Sequence, residues 1–210
     1  MAANLSNDGG IGNIRLLKNC MGSWLVHELR RVWRDADGKE MEWGELYRQA
    51  QAAEAFTAFV DPDDPGFYNP ANMEKAFVQY CRKTGQRAPT TRGGLVRMAY
   101  ESLALKYRMI NENISAVCSQ KTRKVHIVGG GSQNELLNQF TADALGLSVV
   151  AGPVEATAVG NIMVQAMGLG VIRSLHDALP IIKQAFPIKE FKPANTAAWD
   201  QAYERFRKLM

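Results

Sequence analysis

The chain has 210 residues, 46% of them hydrophobic and 22% charged, which is enough apolar material for one large domain or two small ones. Lys and Arg number 25 against 21 Asp and Glu, and the net charge of +4 is spread along the chain rather than gathered in runs, so no nucleic-acid-binding tract is expected. Cys20, Cys81 and Cys118 are far apart and form no CxxC pair, so they read as small buried hydrophobes in a reducing compartment, with neither a disulfide framework nor metal-binding spacing.

No basic segment followed by an apolar one succeeds Met1, so export is not expected. Residues 2–6 alternate enough for a strand, and Asn7 to Asn13, with Gly9, Gly10 and Gly12, reads as a turn. A strand that opens a chain with no partner hairpin beside it implies further sheet upstream. From Ile14 to Trp33 the residues Leu16, Leu17, Cys20, Met21, Trp24, Leu25 and Leu29 recur at three and four, which predicts an amphipathic helix. Asn19 falls beside that stripe and His27 on another part of the helix. Each reads first as a satisfied structural polar group. Glu42 to Ala53 predicts a second helix with Trp43, Leu46, Tyr47 and Ala50 inward, and Phe56 to Val60 a short strand. The acidic loop Asp61-Pro62-Asp63-Asp64-Pro65-Gly66 has three aspartates within four residues, but it lacks the EF-hand pattern and reads as a solvated turn. Asn72 to Thr84 predicts a helix ending at Gly85.

The longest predicted helix runs from Thr90 or Thr91 to about Cys118, with apolar residues over so broad a surface that it must pack on more than one neighbour. Val125, Ile127 and Val128 then predict a buried strand, Gly129, Gly130 and Gly131 a turn, and Glu135 to Ala144 a helix closed by Gly146. Three adjacent residues without a Cβ allow positive φ and let a flat or anionic group lie against the backbone, while the following helix N-terminus favours a phosphate. A bound nucleotide is one reading and a tight chain reversal the other. The spacing fits neither GxGxxG nor GxxxxGK[ST]. Leu147 to Val150 predicts a second strand, so a βαβ unit with a parallel pair and a right-handed crossover is expected. Leu145 to Ile172 is apolar, but Pro153, Glu155, Asn161 and Gln165 interrupt it and argue against a membrane span. Glu155 to Met167 predicts a helix whose Ala156, Ala158, Gly160 and Ala166 suit close packing on the sheet. Ser174 to Phe186 predicts a helix capped by Ser174 and Asp177 and kinked at Pro180, and its octapeptide SLHDALPI also matches a translated sequencing adapter. Thr196 to Leu209 predicts a last helix with Trp199, Ala202, Tyr203 and Phe206 inward and the Arg205-Phe206-Arg207-Lys208 cluster on a solvated face.

The blocks AANLSNDGG, IRLLKNCMGSWLVHELRR, VDPDDPGFYNP, VHIVGGGSQNELLNQFTADALG and VVAGPVEATAVGNIMVQAMGLG resemble the C-terminal domain of the FGGY carbohydrate kinase family, in particular its rhamnulose-phosphorylating branch. The resemblance implies an α/β, ribonuclease-H-like domain of the actin-like ATPase superfamily that includes sugar kinases, Hsp70 and actin, with helices packed on a mixed sheet. A cytoplasmic location is expected from the cysteines and the start of the chain, and the resemblance implies that the parent enzyme holds ATP and a ketose sugar between two such domains and moves the γ-phosphoryl group to the 1-hydroxyl of L-rhamnulose with Mg²⁺. Kinases of the same family acting on fuculose, xylulose or glycerol are the alternative, as is a non-catalytic actin-like binding module.

Carried over residue by residue, the resemblance implies nucleotide binding by Gly130, flanked by Gly129 and Gly131, with Asn134 as a neighbouring candidate. Asn19 matches a position facing the sugar. His27 stands where the family commonly has a glutamine contacting the nucleotide, a departure that still offers one donor and one acceptor from a neutral imidazole. The acidic loop at Asp61 to Asp64 resembles a structural loop of the family. The family's catalytic Asp, first phosphate loop, Gly-Thr hairpin and most sugar contacts have no counterpart here. The whole chain, residues 1–210, is therefore expected to be a C-terminal nucleotide-binding domain incomplete at its N-terminal strands, holding neither catalytic base nor metal ligand. Its expected partner is the N-terminal kinase domain. Alone it should bind ATP weakly, be unable to phosphorylate rhamnulose, and expose a sheet edge through which copies associate.

Overall fold

The computed structural model describes residues 5–9 and 14–210. Strand β1 (Ser6–Gly9) pairs antiparallel with β2 (Ile14–Leu17), with Ser6 opposite Leu17 and Gly9 opposite Ile14, and Arg15 donates to the Asp8 carboxylate at 3.0 Å. This corrects three expectations. The first described strand does have a hairpin partner, Asn7 to Gly9 belong to strand rather than turn, and residues 14–17 are strand rather than helix. Pairing across the hairpin captures Ile14 to Leu17, whose apolar residues fit either period when taken alone. The other predicted strand and turn residues, 2–4 and 10–13, lie outside the described residues.

Helix α1 (Trp24–Asp37) therefore starts late, after an irregular connection. It is followed by α2 (Trp43–Ala52), α3 (Met73–Lys83) and α4 (Arg92–Cys118). Asn72 and Thr91 cap the last two, their side chains accepting from the amides of Lys75 and Gly94. Helix α4 is the axis of the main core. Its N-terminal half, from Gly93 to Lys106 with Arg97 excepted, is buried, and a Cβ at Gly93 would collide with the Gln49 carbonyl, so only glycine lets α2 lie this close. Leu25, Leu29, Leu46, Phe77 and Phe206 join its Leu103 in one hydrophobic core. The stretch from Phe56 to Val60 is buried at its end but is no strand. Its backbone is bonded by side chains instead: Glu101 accepts from the Phe56 amide at 2.8 Å, Gln86 bonds both the amide and the carbonyl of Phe59 at 2.8 Å, and Ser102 Oγ accepts from Val60 at 3.0 Å.

The second layer is a three-stranded sheet ordered β3 (Val125–Ile127), β4 (Val149–Ala151), β5 (Lys189–Phe191), with β3 and β4 parallel and β5 antiparallel. Strand β5 had no sequence signal, being three residues long with two of them exposed. Helix α5 (Glu135–Leu145) is the crossover from β3 to β4 and closes at Gly146 in the left-handed conformation. Its Ala142 packs with Val149, Ala151 and Phe191, while Leu137 and Phe140 reach the main core, so α5 joins sheet to helical layer. Helices α6 (Ala156–Gly168) and α7 (Leu175–Ala185) border a hollow of about 710 Å³ against Val128, Val150 and Gly152 of the other sheet face. The expected close packing of α6 is not found. Only Val159 is buried, and a Cβ at Gly160 would meet nothing within 4 Å. Helix α8 (Thr196–Arg207) completes the main core through Trp199, Tyr203 and Phe206.

Candidate functional site

Between α1, the start of α2 and the turn after β3 lies a cleft of about 520 Å³ lined by Ser23, His27, Trp43, Tyr47, Gly130, Gly131, Gln133 and Asn134. Its volume falls in the range typical of small-molecule sites, about 300 to 1,000 Å³. A hollow of about 700 Å³ between residues 53–57, 87–94 and Arg205 is larger but holds none of the site residues expected from sequence.

The three glycines do different things. Gly129 alone takes positive φ, 76° with ψ −166°, its amide donating to the Pro153 carbonyl at 3.1 Å and its own carbonyl accepting from the Ser132 hydroxyl at 2.7 Å. The freedom that three glycines allow is thus used at one of them. Gly130 and Gly131 begin a short 3-10 turn, Gly130–Gln133, and their amides donate to no described residue. A Cβ on Gly130 would meet nothing within 4 Å, and one on Gly131 would meet only Ile127 Cγ2 at 3.8 Å. The cleft floor is therefore bare backbone. Helix α5 does not open directly onto it as the sequence reading had it: the 3-10 turn intervenes, and buried Asn134 caps the helix by accepting from the Leu137 amide at 3.1 Å.

Beneath the turn sits Asn138, fully buried, whose Nδ2 donates to the Ser132 carbonyl at 2.9 Å while Oδ1 has no partner. It is not among the site residues expected from sequence. The available signal was an asparagine four residues after Asn134, one turn along an otherwise apolar helix flank.

The facing wall is aromatic. His27 is exposed on α1, its ring 4.8 Å from that of Trp43 and edge-on to it. Arg30, which donates to the Met41 carbonyl at 2.7 Å and pairs with Glu40 at 2.9 Å, places its guanidinium 4.4 Å over the indole. Trp43 lies 5.7 Å from Tyr47, and Tyr47 6.2 Å from Tyr100. Burial raises the Tyr100 hydroxyl well above the usual phenol range, with the Tyr47 and Asn134 side chains beside it. Trp43 and Tyr47, expected to face the core, are thus partly turned to the cleft.

Asn19 lies apart from this cleft. It is exposed in the connection between β2 and α1, not on a helix. That connection is tied down by the acidic loop: Asp63 accepts from the Met21 amide at 2.7 Å, and the Lys106 ammonium bridges Asp61 at 2.7 Å and Asp63 at 3.1 Å. Lys106 is buried, so the loop is an ion-paired strap and not merely a solvated turn. Cys20 beside it is half-buried, its thiol pushed up to about 11 by burial and then by the Asp63 charge, while Cys118 is exposed, contrary to expectation. Among the described residues no three His, Cys, Asp or Glu side chains gather as a metal-binding group, and no helix is long and apolar enough to cross a membrane.

Residues 9–169 match the FGGY family of carbohydrate kinases, C-terminal domain. The chain belongs to this family. As an FGGY chain it is similar to the rhamnulokinase of Bacteroides thetaiotaomicron, 46% identical over 210 residues that make up 100% of this chain and 42% of that protein. The rhamnulokinase of Pectobacterium carotovorum is 40% identical over 100% of this chain and 41% of that protein, and that of Bacillus subtilis 36% identical over 91% and 39%. The chain thus spans about two fifths of the length of these relatives, 39–42%. Among solved structures, xylulose kinase from Rhodospirillum rubrum superposes with a TM-score of 0.65 at 19% identity over 98% of this chain and 41% of that one. Plasmodium falciparum glycerol kinase with ADP gives 0.61 at 17% identity over 92% and 39%. These likenesses show the fold that the chain shares with those structures: an α/β arrangement with helices on a mixed sheet.

Proposed function

We propose that this chain is the C-terminal, nucleotide-binding lobe of a cytoplasmic sugar kinase that transfers the γ-phosphoryl group of ATP to the 1-hydroxyl of L-rhamnulose. The observation that carries the reading is the convergence on one cleft of His27 from α1 with Gly130, Gly131 and Asn134 from the turn after β3, more than 100 residues away in the chain. Rhamnulokinase as the name of relatives 36–46% identical supports the choice of sugar.

In this reading each residue has a separate task. The unengaged amides of Gly130 and Gly131 receive phosphate oxygens, with no Cβ in the way. Gly129 sets the bend. Asn134 holds the helix and the turn together and so fixes where those amides point. His27 offers the nucleotide one donor and one acceptor. Asn19, in the connection that Asp63 ties down at Met21, faces the sugar. The residues present fit a nucleotide, while Mg²⁺ would arrive on its phosphates, where it offsets negative charge. The base for the accepting hydroxyl belongs to an N-terminal domain, the partner of this chain.

A coupled assay of ADP release tests this. The purified chain with ATP, Mg²⁺ and L-rhamnulose should give no turnover, while its fusion behind the N-terminal portion of the Bacteroides relative should turn over L-rhamnulose in preference to fuculose, xylulose and glycerol. Turnover by the chain alone, or a fusion indifferent to L-rhamnulose, overturns the reading. We further propose that β3, whose outer side pairs with no described strand, lets copies associate. A monomer by light scattering at high concentration rejects that.

A further inference from the structure

We infer that Trp43 is the platform on which the base of the nucleotide stacks. The inference rests on the nucleotide reading of the cleft and adds the residue that receives its aromatic part. The cleft has two unlike walls: bare backbone at Gly130 and Gly131, suited to anionic oxygens, and flat rings at Trp43 and Tyr47. A molecule that is charged at one end and aromatic at the other matches both.

Trp43 is the first residue of α2, ahead of the buried Leu46 and Ala50, and it keeps partial exposure although it is a large apolar side chain. Its orientation is fixed without its being buried. The Arg30 guanidinium lies 4.4 Å over the indole and is itself anchored to the Met41 carbonyl at 2.7 Å, while the His27 ring stands edge-on at 4.8 Å. A ring held this way loses little freedom when a base docks on it. The platform is also coupled to the phosphate side. Trp43 leans on Tyr47, Tyr47 on Tyr100, and Tyr100 lies beside Asn134, which caps α5 at the end of the glycine-led turn. The spacing between the two walls is thereby set by packed groups rather than by a loop.

Calorimetry on the intact chain, with ADP, adenosine and inorganic tripolyphosphate as separate probes, tests the inference. Trp43→Leu should weaken ADP and adenosine about tenfold, in line with base-on-aromatic stacking, leave tripolyphosphate unchanged, and be largely restored by Trp43→Phe. The indole N–H resonance of Trp43 in the wild-type chain, read by NMR, should shift with ADP and adenosine but not with tripolyphosphate, a result that needs no variant to fold. ADP affinity of a folded Trp43→Leu within twofold of wild type, or an indole signal unmoved at saturating ADP, overturns the assignment while the nucleotide reading stands. Failure of the wild-type chain to bind ADP at all overturns both.

Discussion

Gly129 and Gly130 are neighbours of identical chemistry, yet the structure needs each for a different reason. Gly129 sits at φ 76°, ψ −166°, a region open essentially to glycine alone, so Gly129→Ala strains the folded backbone by about 1 to 3 kcal/mol. Gly130 lies outside the positive-φ region, and its added Cβ would enter open space, so Gly130→Ala should change stability by less than about 0.5 kcal/mol. Thermal unfolding followed by circular dichroism reads the contrast: the first variant drops in midpoint and the second does not. Equal losses would mean that the room above Gly130 is not free. The glycine run itself was legible because three adjacent residues without side chains have few uses. Which glycine bends the chain and which leaves space was not, since that depends on φ and on neighbours such as Pro153, remote in sequence. Asn19 shows the converse: its identity was legible but its placement was not, because the helix it was assigned to begins only at Trp24.

At the scale of elements, the helices with polar caps, α3 and α4, were readable to within a residue or two, since Asn72 and Thr91 bond amides in their own first turns. The segment Phe56 to Val60 has a strand's composition but forms no strand, because its backbone partners come from Gln86, Glu101 and Ser102, side chains that no local pattern can supply. Glu101 makes this arrangement sensitive to pH. It is almost wholly buried, and burial pushes its carboxyl up to about 7 even though Arg97 donates to it at 2.7 Å and the Phe56 amide at 2.8 Å. The folded chain then holds this proton more tightly than the unfolded chain does. Stability from this group is full below the ordinary carboxylate range and is lost as pH rises through about 7, by up to about 3 kcal/mol. Denaturant midpoints should fall between pH 5 and pH 7.5, and Glu101→Gln should flatten that slope. A rise over this interval that the variant does not alter would show that the carboxyl is ionised throughout.

At the scale of the molecule, the described strands form two separate sheets, a hairpin at β1–β2 and a three-stranded sheet at β3–β5, and the helical core between α1 and α4 sets the cleft against the second of them. The βαβ unit and its glycine turn were legible as strand, turn, helix and strand in succession. The cleft was not, because its two walls come from stretches more than 80 residues apart and meet only through the packing of α2 and α5 on α4. Its use by a nucleotide is the claim on which the kinase reading depends. Titrating the purified wild-type chain and Gly130→Val with ADP in a calorimeter tests it most directly. The wild type should give weak but measurable heat of binding and the variant none, with the two chains melting at the same temperature. No heat from the wild type, or equal heat from both, would contradict it.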